Sequence, residues 1–492
     1  MFLGIDLGTS ELKALLLDRR HQRCGVARAP LTVQRPEPTW SEQNPADWWM
    51  ALVYAMDQLK THHGAALSQV EGIGLSGQMH GAVLMDADHQ VLRPAMLWND
   101  GRSQAQCGQL QAQCPAIQQI TGNQPMPGLT APKLLWVKQH EPSVFAKVRH
   151  VALPKDWLGW QLTGELTTDL SDASGTLWLN CGLRDWSDEA LKATGLHRRH
   201  MPRLSEGSER SGWLRLDLCR RWGLPTRVAV AAGGGDNAAS AVGMGLIHPG
   251  QGFVSLGTSG VIFRVSEGFQ PVPEKGVHAF CHALANRWHQ MSVMLSAASA
   301  VRWAASVLGH QDEASLLEAA ASLSFEKRKQ APLFFPYLSG ERTPHNQSMA
   351  SAAWWGLNAS HDRADMSYAV AEGVAMGLRD GWKALGPSSN PSSSLALVGG
   401  GGRSDWWAQL LADALDLELT QHEGGHEGAA LGAARLAWLS CGGDELEVCQ
   451  VPPLKQRWQP QAHSALGLRS RHEHFEATTQ AVMPWLVKRA TH

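Results

Sequence analysis

The sequence predicts an α/β protein made of two similar halves, each a mixed β-sheet flanked by helices, with a central cleft between them. Its 492 residues exceed the roughly 250 to 300 that one hydrophobic core can serve. The tetrapeptide Leu-Gly-Thr-Ser occurs twice, at residues 7–10 and 256–259. Each copy lies between two apolar segments that predict a hairpin of strands. Helices and buried strands alternate after each hairpin, and this order is typical of a mixed sheet. We therefore expect a duplication, with domains at residues 1–245 and 246–492.

The first half opens with a hairpin. Residues 2–7 and 12–18 are apolar runs on either side of the turn, and residues 24–33 continue them as a third strand. A helix follows over residues 44–64, because Pro45 suits a first helical turn and the apolar residues recur at helical spacing. A buried strand at residues 70–76 completes the unit.

The second half repeats this plan. Its predicted elements are strands around Leu256 and Val261, alternating strands at 278–284 and 287–295, helices at 296–309, 365–386 and 405–415, and a strand at 395–400. A glycine-rich loop separates that last strand from the final helix. The Ser- and Pro-rich residues 386–394 predict a solvated loop.

Composition narrows the class of partner. With 43% hydrophobic and 18% charged residues, the chain is not disordered on a large scale. Its 43 basic and 45 acidic residues give a net charge of -2, so no overall positive electrostatic potential attracts nucleic acid or an anionic membrane. Eight scattered cysteines without a Cys-x-x-Cys pair indicate reduced thiols, and no apolar run is long enough for a membrane span. We expect a cytoplasmic protein with a small-molecule partner.

The repeated turn has two interpretations. Glycine, threonine and serine are common turn formers. Glycine followed by two hydroxyl residues also presents backbone N–H groups and side-chain hydroxyls to a phosphate. Two copies favour the second interpretation, since halves that face each other would direct both turns at one nucleotide.

Asp6 ends the first strand, immediately before the first turn. A carboxylate there could hold Mg²⁺ through water, with the metal bridging phosphate oxygens, and Lys13 could neutralise the transferred group. The alternative role for Asp6 is a turn cap. Ser255 stands at the aligned place in the second copy, so one metal carboxylate is expected.

Asp236 follows three glycines at the end of a buried strand and opens a helix with Asn237. It could cap the helix, or the glycines could let a substrate approach, with Asp236 accepting a proton from its hydroxyl. Met79 and His80 also end a strand, between two glycines, although a single histidine is more often structural. Zinc at His278 and His282 is disfavoured, because that segment alternates like a strand and offers no third ligand.

Five ordered motifs extend over nearly the whole chain. They are "GIDLGTS", "SLGTSG", "GLTAPKLLWV", "WGLNASHDRADMSYAVAEGVAMGLRDG" and "GGGGRSDWWAQLLAD", the last completed by "EGAALGAARLA". In these motifs the chain resembles the FGGY carbohydrate kinases, of the actin, hexokinase and heat-shock-protein superfamily. The resemblance implies duplicated actin-like, ribonuclease H-like ATPase domains, with ATP and Mg²⁺ as cofactors.

The resemblance also implies roles for individual residues. Asp236 would be the catalytic base and Asp6 would lie on the Mg²⁺ side. Residues touching or near the sugar would be Met79, His80, Asn237, Trp98, Asp100 and Arg102. Residues assigned to the nucleotide are Thr9, Ser10, Lys13, Gly257, Thr258, Ser259, Gly400, Gly401 and Ser404. Glu11 departs from the family, which usually has glycine there, and an acid would repel phosphate unless it points away.

The substrate is also indicated by resemblance. The segments "GQMHGAVL", "LWNDGR", "LPKDWL", "GGGDNAA" and "PYLSGERTPHN" are similar to those of family members that phosphorylate D-xylulose at O5. The alternatives are a kinase of ribulose, gluconate or a pentitol, or a sensor or chaperone-like ATPase. Asp236 disfavours the ATPase, because a protein that only switches on ATP needs no base for a sugar hydroxyl. Paired tryptophans among the 21 in the chain make a homodimer plausible.

Overall fold

Two seven-stranded mixed sheets organise the computed structural model, which describes residues 1–488. The strands of the first sheet are β1 Phe2–Leu7, β2 Glu11–Leu17, β3 Arg23–Pro30, β4 Gly72–Gly77, β5 Arg210–Trp213, β6 Ala229–Ala231 and β7 Gly234–Gly235. Those of the second are β8 Gly252–Leu256, β9 Gly260–Ser266, β10 His278–Cys281, β11 Trp288–Met294, β12 Ser394–Gly399, β13 Glu418–His422 and β14 Leu454–Trp458.

The two sheets share one topology. The first has the order β3-β2-β1-β4-β6-β5, with β7 also paired to β4, and the second has the order β10-β11-β9-β8-β12-β13-β14. In both, an antiparallel hairpin carries a third antiparallel strand, and two parallel strands follow on the other side. Beyond these parallel strands, the edge strand of each sheet, β5 in the first and β14 in the second, is antiparallel to its neighbour. The duplicated α/β fold predicted from the repeated turn is confirmed.

Some helices cover the faces of the two sheets, and others pack against one another. They are α1 Pro45–Leu67, α2 Gln104–Gln113, α3 Ile117–Thr121, α4 Thr130–His140, α5 Pro142–Phe145, α6 Pro154–Thr163, α7 Leu170–Ser174, α8 Asp188–Thr194, α9 Leu216–Trp222, α10 Asp236–Gly243, α11 Ala298–Val307, α12 Glu313–Ala321, α13 Phe325–Gln330, α14 Arg363–Ala384, α15 Asp405–Leu415, α16 Gly428–Ser440, α17 Glu445–Val448 and α18 Ala462–Lys488. None of the helices in the described part of the chain is both long and apolar enough to cross a membrane.

Short strand pairs lie outside the two sheets. They are Glu42–Gln43 with Ala95–Met96, Val83–Met85 with His150–Ala152, Thr167–Asp169 with Arg203–Ser205, Leu179–Asn180 with Asp185–Trp186, and Leu333–Phe335 with Ala353–Trp355. Two of these pairs lie wholly within residues 82–201, which supply most of a hydrophobic core separate from those of the sheets. The sequence predicted motifs in this region but no separate core.

The predicted boundaries hold to within a few residues where the local signal is strong. Asn44 caps α1 by accepting from the backbone N–H of Ala46, and Pro45 occupies the first helical position, where its missing N–H removes no bond. The helix predicted at 405–415 has those bounds.

Helix α16 comes from the second half but packs on the first sheet. A Cβ atom at Gly4 would stand 1.9 Å from the carbonyl oxygen of Ala430, and one at Gly74 would stand 1.8 Å from that of Ala433. Such distances are far below van der Waals contact, so only glycine permits this approach. Helices α10 and α16 also touch closely, since a Cβ at Gly432 would stand 1.7 Å from the Ala239 carbonyl oxygen. This helix pair links the halves beside the cleft.

Candidate active site

A cavity of about 210 Å³ lies between the two halves. From the first half it is lined by Met79, His80, Trp98, Asp236 and Asn237, among others. From the second half it is lined by Ser259, His278, Met291, Val293 and Arg342, among others. The structure thus brings together residues that lie far apart in sequence, including most of those assigned to the sugar.

Asp236 is the first residue of α10, and Gly235 occupies the cap position. One carboxylate oxygen of Asp236, Oδ1, accepts from the backbone N–H and the side-chain amide of Asn237, at 2.7 and 2.8 Å. Burial raises the pKa of Asp236 to about 6, and the negative charge of Asp6 adds to the shift. A carboxyl group with this pKa is well suited to accept a proton near neutral pH.

Sheet register explains why Asp6 and Asp236 are neighbours. Strands β1 and β7 flank β4, and both Asp6 and Gly234 pair with Ser76 of that strand. Burial raises the pKa of Asp6, while Lys13, its partner across the β1–β2 hairpin, opposes the shift. Among the described residues, no hydrogen-bond donor reaches the buried Oδ1 atom of Asp6. The carboxylate of Asp6, with this unpartnered oxygen, is a donor that fits Mg²⁺.

A buried ionic network supports the glycines before Asp236. The hydroxyl of Ser171 accepts from the backbone N–H of Gly235 at 3.1 Å and donates to Asp169 at 2.5 Å. The Nζ atom of Lys155 lies 2.8 Å from Asp169 and 3.5 Å from Asp172, and all four side chains are fully buried. Sequence reasoning missed this network. The signal available was the pair Asp169 and Asp172 among the small hydroxyl residues of 167–174.

The first Gly-Thr-Ser turn is held by hydrogen bonds. The N–H of Gly8 donates to the Glu11 carbonyl at 3.0 Å, which closes the turn. The Thr9 hydroxyl donates to Gln78 at 2.9 Å and accepts from the indole N–H of Trp98 at 3.0 Å. Ser10 is exposed at the tip. The turn is therefore fixed against the strand end that carries Met79 and His80.

Glu11, the departure from the family pattern, is paired with cations. Its carboxylate lies 2.7 Å from Nη1 of Arg28 and 3.7 Å from Nζ of Lys13. These contacts offset its negative charge beside the turn. Glu11 also draws Lys13, the residue expected to neutralise a phosphate, towards itself.

The second Gly-Thr-Ser turn contacts residues of two cavities. Ser259 lines the sugar-side cavity. The carbonyl of Gly257 accepts from the N–H of Ala298 at 3.0 Å, and Ala298 lines a second cavity of about 570 Å³. The Thr258 carbonyl accepts from the Ser299 hydroxyl at 2.7 Å, which fixes the turn against α11.

The second cavity contains the residues assigned to adenosine. Gly400, Gly401 and Ser404 all line it, opposite α11 and α12. Ser404 caps α15 by accepting from the N–H of Trp407 at 3.3 Å. A Cβ atom at Gly401 would lie 2.3 Å from the Leu256 side chain, whereas one at Gly400 would meet no atom within 4 Å. Gly400 therefore faces open space in this cavity.

His80 is held in a left-handed backbone conformation, with φ of 69°. The ammonium of Lys133 and the hydroxyl of Thr130 donate to its carbonyl, at 2.8 and 3.2 Å. Its Nδ1 lies 3.1 Å from the Gly175 carbonyl, which can only accept, so Nδ1 carries the proton and Nε2 is an acceptor. Burial, with the charges of Lys133 and Arg342, lowers the pKa of His80 to about 3. The imidazole is neutral.

Asp100 and Arg102 are not among the residues that line the sugar-side cavity. The Nη2 atom of Arg102 lies 2.7 Å from Asp100 and 2.8 Å from Glu42, and its guanidinium stacks 3.5 Å from the centre of the Trp40 ring. Asp100 also accepts from the N–H of Ser41 at 2.7 Å. Both residues fix the loop that carries Trp98, and direct contact with a substrate stays a prediction for them.

Two lining residues were not assigned from the sequence. Arg342 reaches the cavity from the loop after residue 335, and its Nη1 lies 3.1 Å from Nε2 of His278. His278 was weighed only as a zinc ligand. In residues 1–488, the group of side chains close enough to share a metal is Asp380, His472 and Glu476, which includes neither His278 nor His282.

Comparison with protein families agrees with this architecture. Residues 1–243 match the N-terminal domain of the FGGY family of carbohydrate kinases, and residues 252–441 match its C-terminal domain. The chain belongs to the FGGY family of carbohydrate kinases. It is an ATP-dependent sugar phosphotransferase.

Individual members of this family are similar over almost their full length. Xylulose kinases of Escherichia coli K12 and Klebsiella pneumoniae are each 47% identical to the chain, over 98% of it and 99% of each relative. A crystal structure of a xyloylose kinase from Brucella ovis superposes with a TM-score of 0.95 at 46% identity, covering 98% of this chain and 99% of that one.

Proposed function

We propose that this FGGY kinase transfers the γ-phosphoryl group of ATP to O5 of D-xylulose, giving D-xylulose 5-phosphate. The observation that carries the proposal is the position of the second Gly-Thr-Ser turn. Its Ser259 lines the cavity that contains Asp236, and its Gly257 is hydrogen-bonded to Ala298, which lines the cavity of Gly400, Gly401 and Ser404. Phosphoryl transfer needs an acceptor hydroxyl and a nucleotide on opposite sides of one phosphate site. The names of the relatives at 47% identity support D-xylulose as the acceptor.

In this proposal each side of the turn has a task. The adenosine occupies the larger cavity, beside Gly400 and Ser404, and the phosphates extend along the turn towards Ser259. The first turn, with Thr9 and Ser10, faces the same phosphates from the other half. The sugar lies between Met79, His80 and Asn237, so its reactive hydroxyl points to Asp236. Such positioning removes much of the entropic part of the barrier.

Asp236 acts as the general base. Its Oδ1 is held by Asn237, which orients the carboxylate and leaves Oδ2 for the sugar hydroxyl. The hydroxyl proton passes to Asp236 as the bond to phosphorus forms, since a sugar hydroxyl is too weak an acid to lose it earlier. Asp6 would hold Mg²⁺ through water as the single metal carboxylate of the site, and the ion would neutralise charge on the phosphate oxygens.

A substrate panel tests the proposal. ADP release is measured by a coupled assay with D-xylulose, D-ribulose, gluconate, xylitol and D-arabitol, and phosphorus NMR of the product locates the ester. We expect the highest kcat/KM with D-xylulose and an ester at O5. The Asp236→Asn variant, purified in the same way, reports any contaminating kinase. The proposal fails if no sugar stimulates ADP release, or if another sugar in the panel is preferred.

A further inference from the structure

Arg342 is a cation that the described residues do not neutralise. Its guanidinium lines the sugar-side cavity, and no carboxylate in residues 1–488 forms an ion pair with it. Burial lowers the pKa of Arg342, against the opposing charge of Glu341. A guanidinium has five N–H donors. The single side-chain contact through Nη1 leaves donors for a ligand.

The direction of Arg342 is set by a chain of hydrogen bonds from the first half. Because Arg342 can only donate, Nε2 of His278 accepts and its Nδ1 carries the proton. That proton points to Oδ1 of Asn123, at 3.1 Å. The amide of Asn123 is fixed in turn by the backbone of Ala279, through bonds of 3.1 and 3.2 Å. The guanidinium is therefore held in place before any ligand binds.

Arg342 stands at the far side of the cavity from the phosphate turn. Val261, two residues after Ser259, pairs with Val293 on the neighbouring strand β11. The N–H of Thr343 donates to the carbonyl of Val293, so residue 343 occupies the next strand position. Two strand spacings of about 4.8 Å therefore place the backbone of residues 342 and 343 about 10 Å from strand β9, which begins next to Ser259. A ligand with its reactive end at Ser259 and Asp236 would have its other end at Arg342.

The proposed reaction determines what that other end is. A five-carbon 2-ketose closes its furanose ring through O5, so phosphorylation at O5 requires the open-chain form with a free carbonyl at C2. A carbonyl oxygen only accepts hydrogen bonds, and a guanidinium only donates them. A pentitol has a hydroxyl at C2, and Arg342 offers no acceptor for its proton. The guanidinium thus suits the ketone better than the corresponding alcohol.

We infer that Arg342 donates to the C2 carbonyl oxygen of the open-chain ketose and selects ketoses over pentitols. This assignment rests on the proposed function, because it requires transfer to O5. It makes Arg342 a substrate-binding residue that sets specificity, whereas His80, with its Nε2 acceptor, suits a hydroxyl of any of these sugars.

The ratio of kcat/KM for D-xylulose to that for xylitol and for D-arabitol tests the inference. For Arg342→Gln we expect kcat/KM for D-xylulose to fall about 10- to 100-fold, the usual effect of losing a hydrogen bond from a charged donor. Turnover of the pentitols should change by no more than about threefold, since a C2 hydroxyl that accepts from Arg342 finds no acceptor there for its own proton. Arg363→Gln, at an exposed arginine that begins α14, is the matched control and should leave the ratio unchanged.

Other outcomes overturn the inference. Equal losses for ketose and pentitol would assign Arg342 to the fold or to the phosphate end, and an unchanged ratio would exclude contact with the carbonyl. If Arg342→Gln does not fold, Arg342→Lys keeps the charge without the planar fork and should still lower the ratio. A wild-type enzyme without activity on D-xylulose would mean that the proposed function itself fails. Normal activity with an unaltered ratio in the variants would remove only the role of Arg342.

Discussion

The carboxylate of Asp6 lies close enough to that of Asp236 for its negative charge to raise the pKa of Asp236. The two belong to separate segments, brought together because β1 and β7 flank the same strand. Neither carboxylate is neutralised by a direct ion pair within the described residues, although Lys13 lowers the pKa of Asp6 from a distance. The pair links the pH dependence of the proposed base to the proposed metal residue.

The rate should therefore fall in mild acid. Asp236 must be ionised to accept a proton, and its pKa of about 6 predicts that kcat/KM for D-xylulose falls as the pH drops below about 6. An ordinary aspartate would lose activity only near pH 4. In Asp6→Asn the residual activity should persist to lower pH, because a charge that raises the pKa of Asp236 is gone. A pH profile from 4.5 to 8 measures both, and an acid limb that does not move would contradict the coupling.

Asp236→Asn should reduce turnover and increase stability at neutral pH. Loss of a general base lowers the rate about 10²- to 10⁴-fold, while calorimetry should find D-xylulose bound within about tenfold of wild type. Because the folded pKa is raised to about 6, ionised Asp236 destabilises the fold above that pH, by up to about 3 kcal/mol. The gain in stability should vanish below about pH 4, where both states are protonated.

The stability measurement has a simple control. Denaturant unfolding at pH 7.5 and pH 4 compares Asp236→Asn with Asp57→Asn, at an exposed aspartate of α1. Only the first should gain stability at pH 7.5. A destabilised Asp236→Asn at that pH would instead indicate that the carboxylate holds the helix start together.

His80→Ala should weaken sugar binding and spare the nucleotide. Its Nε2 is the acceptor presented to the sugar-side cavity, and loss of such a contact costs about 1 to 3 kcal/mol. With a pKa of about 3, His80 stays neutral at working pH and adds no pH dependence to D-xylulose affinity between pH 5 and 8. Calorimetry with D-xylulose and with ADP separates the two ligands, and exposed His474→Ala is the control. Equal losses for both ligands would mark His80 as structural.

Gly400→Leu should obstruct the nucleotide without unfolding the protein. Nothing lies within 4 Å of a Cβ atom there, so the leucine would extend into the larger cavity and weaken ADP binding by about tenfold or more. Gly401→Ala is the contrast, because its methyl group would meet Leu256 at 2.3 Å and should destabilise the fold by about 1 to 3 kcal/mol. ADP titration and thermal unfolding distinguish the two. Normal ADP binding by Gly400→Leu would place adenosine elsewhere.

Local patterns predicted the parts of this enzyme that local forces determine. The hairpin turns, α1 with its Asn44 cap and the helix after Ser404 each carry their signal within a few residues. Asp236 could also be singled out from the sequence, because the three glycines before it indicate that a substrate can approach the backbone closely. Such features need no knowledge of what packs against them.

The remaining site residues depend on contacts between distant segments. Arg342 reaches the cavity because the residues after it pair with β11, and His278 is directed by Asn123 from the other half. The bond from Gly235 to Ser171 joins positions 64 residues apart. Arg342 lies in the segment "PYLSGERTPHN", which resembles that of related kinases, but only the folded chain shows that its guanidinium lines the cavity.

The packing of α16 on the first sheet also determines when that sheet can be completed during synthesis. Strand β4 ends at Gly77, but the helix that covers Gly4 and Gly74 begins at Gly428. At about 5 to 20 residues per second, the ribosome needs on the order of tens of seconds to reach it. Throughout that interval the nascent first half displays a bare apolar sheet face, the kind of surface that aggregates or recruits chaperones. A chain truncated before residue 428 should therefore be insoluble, even though it contains every strand of its first sheet.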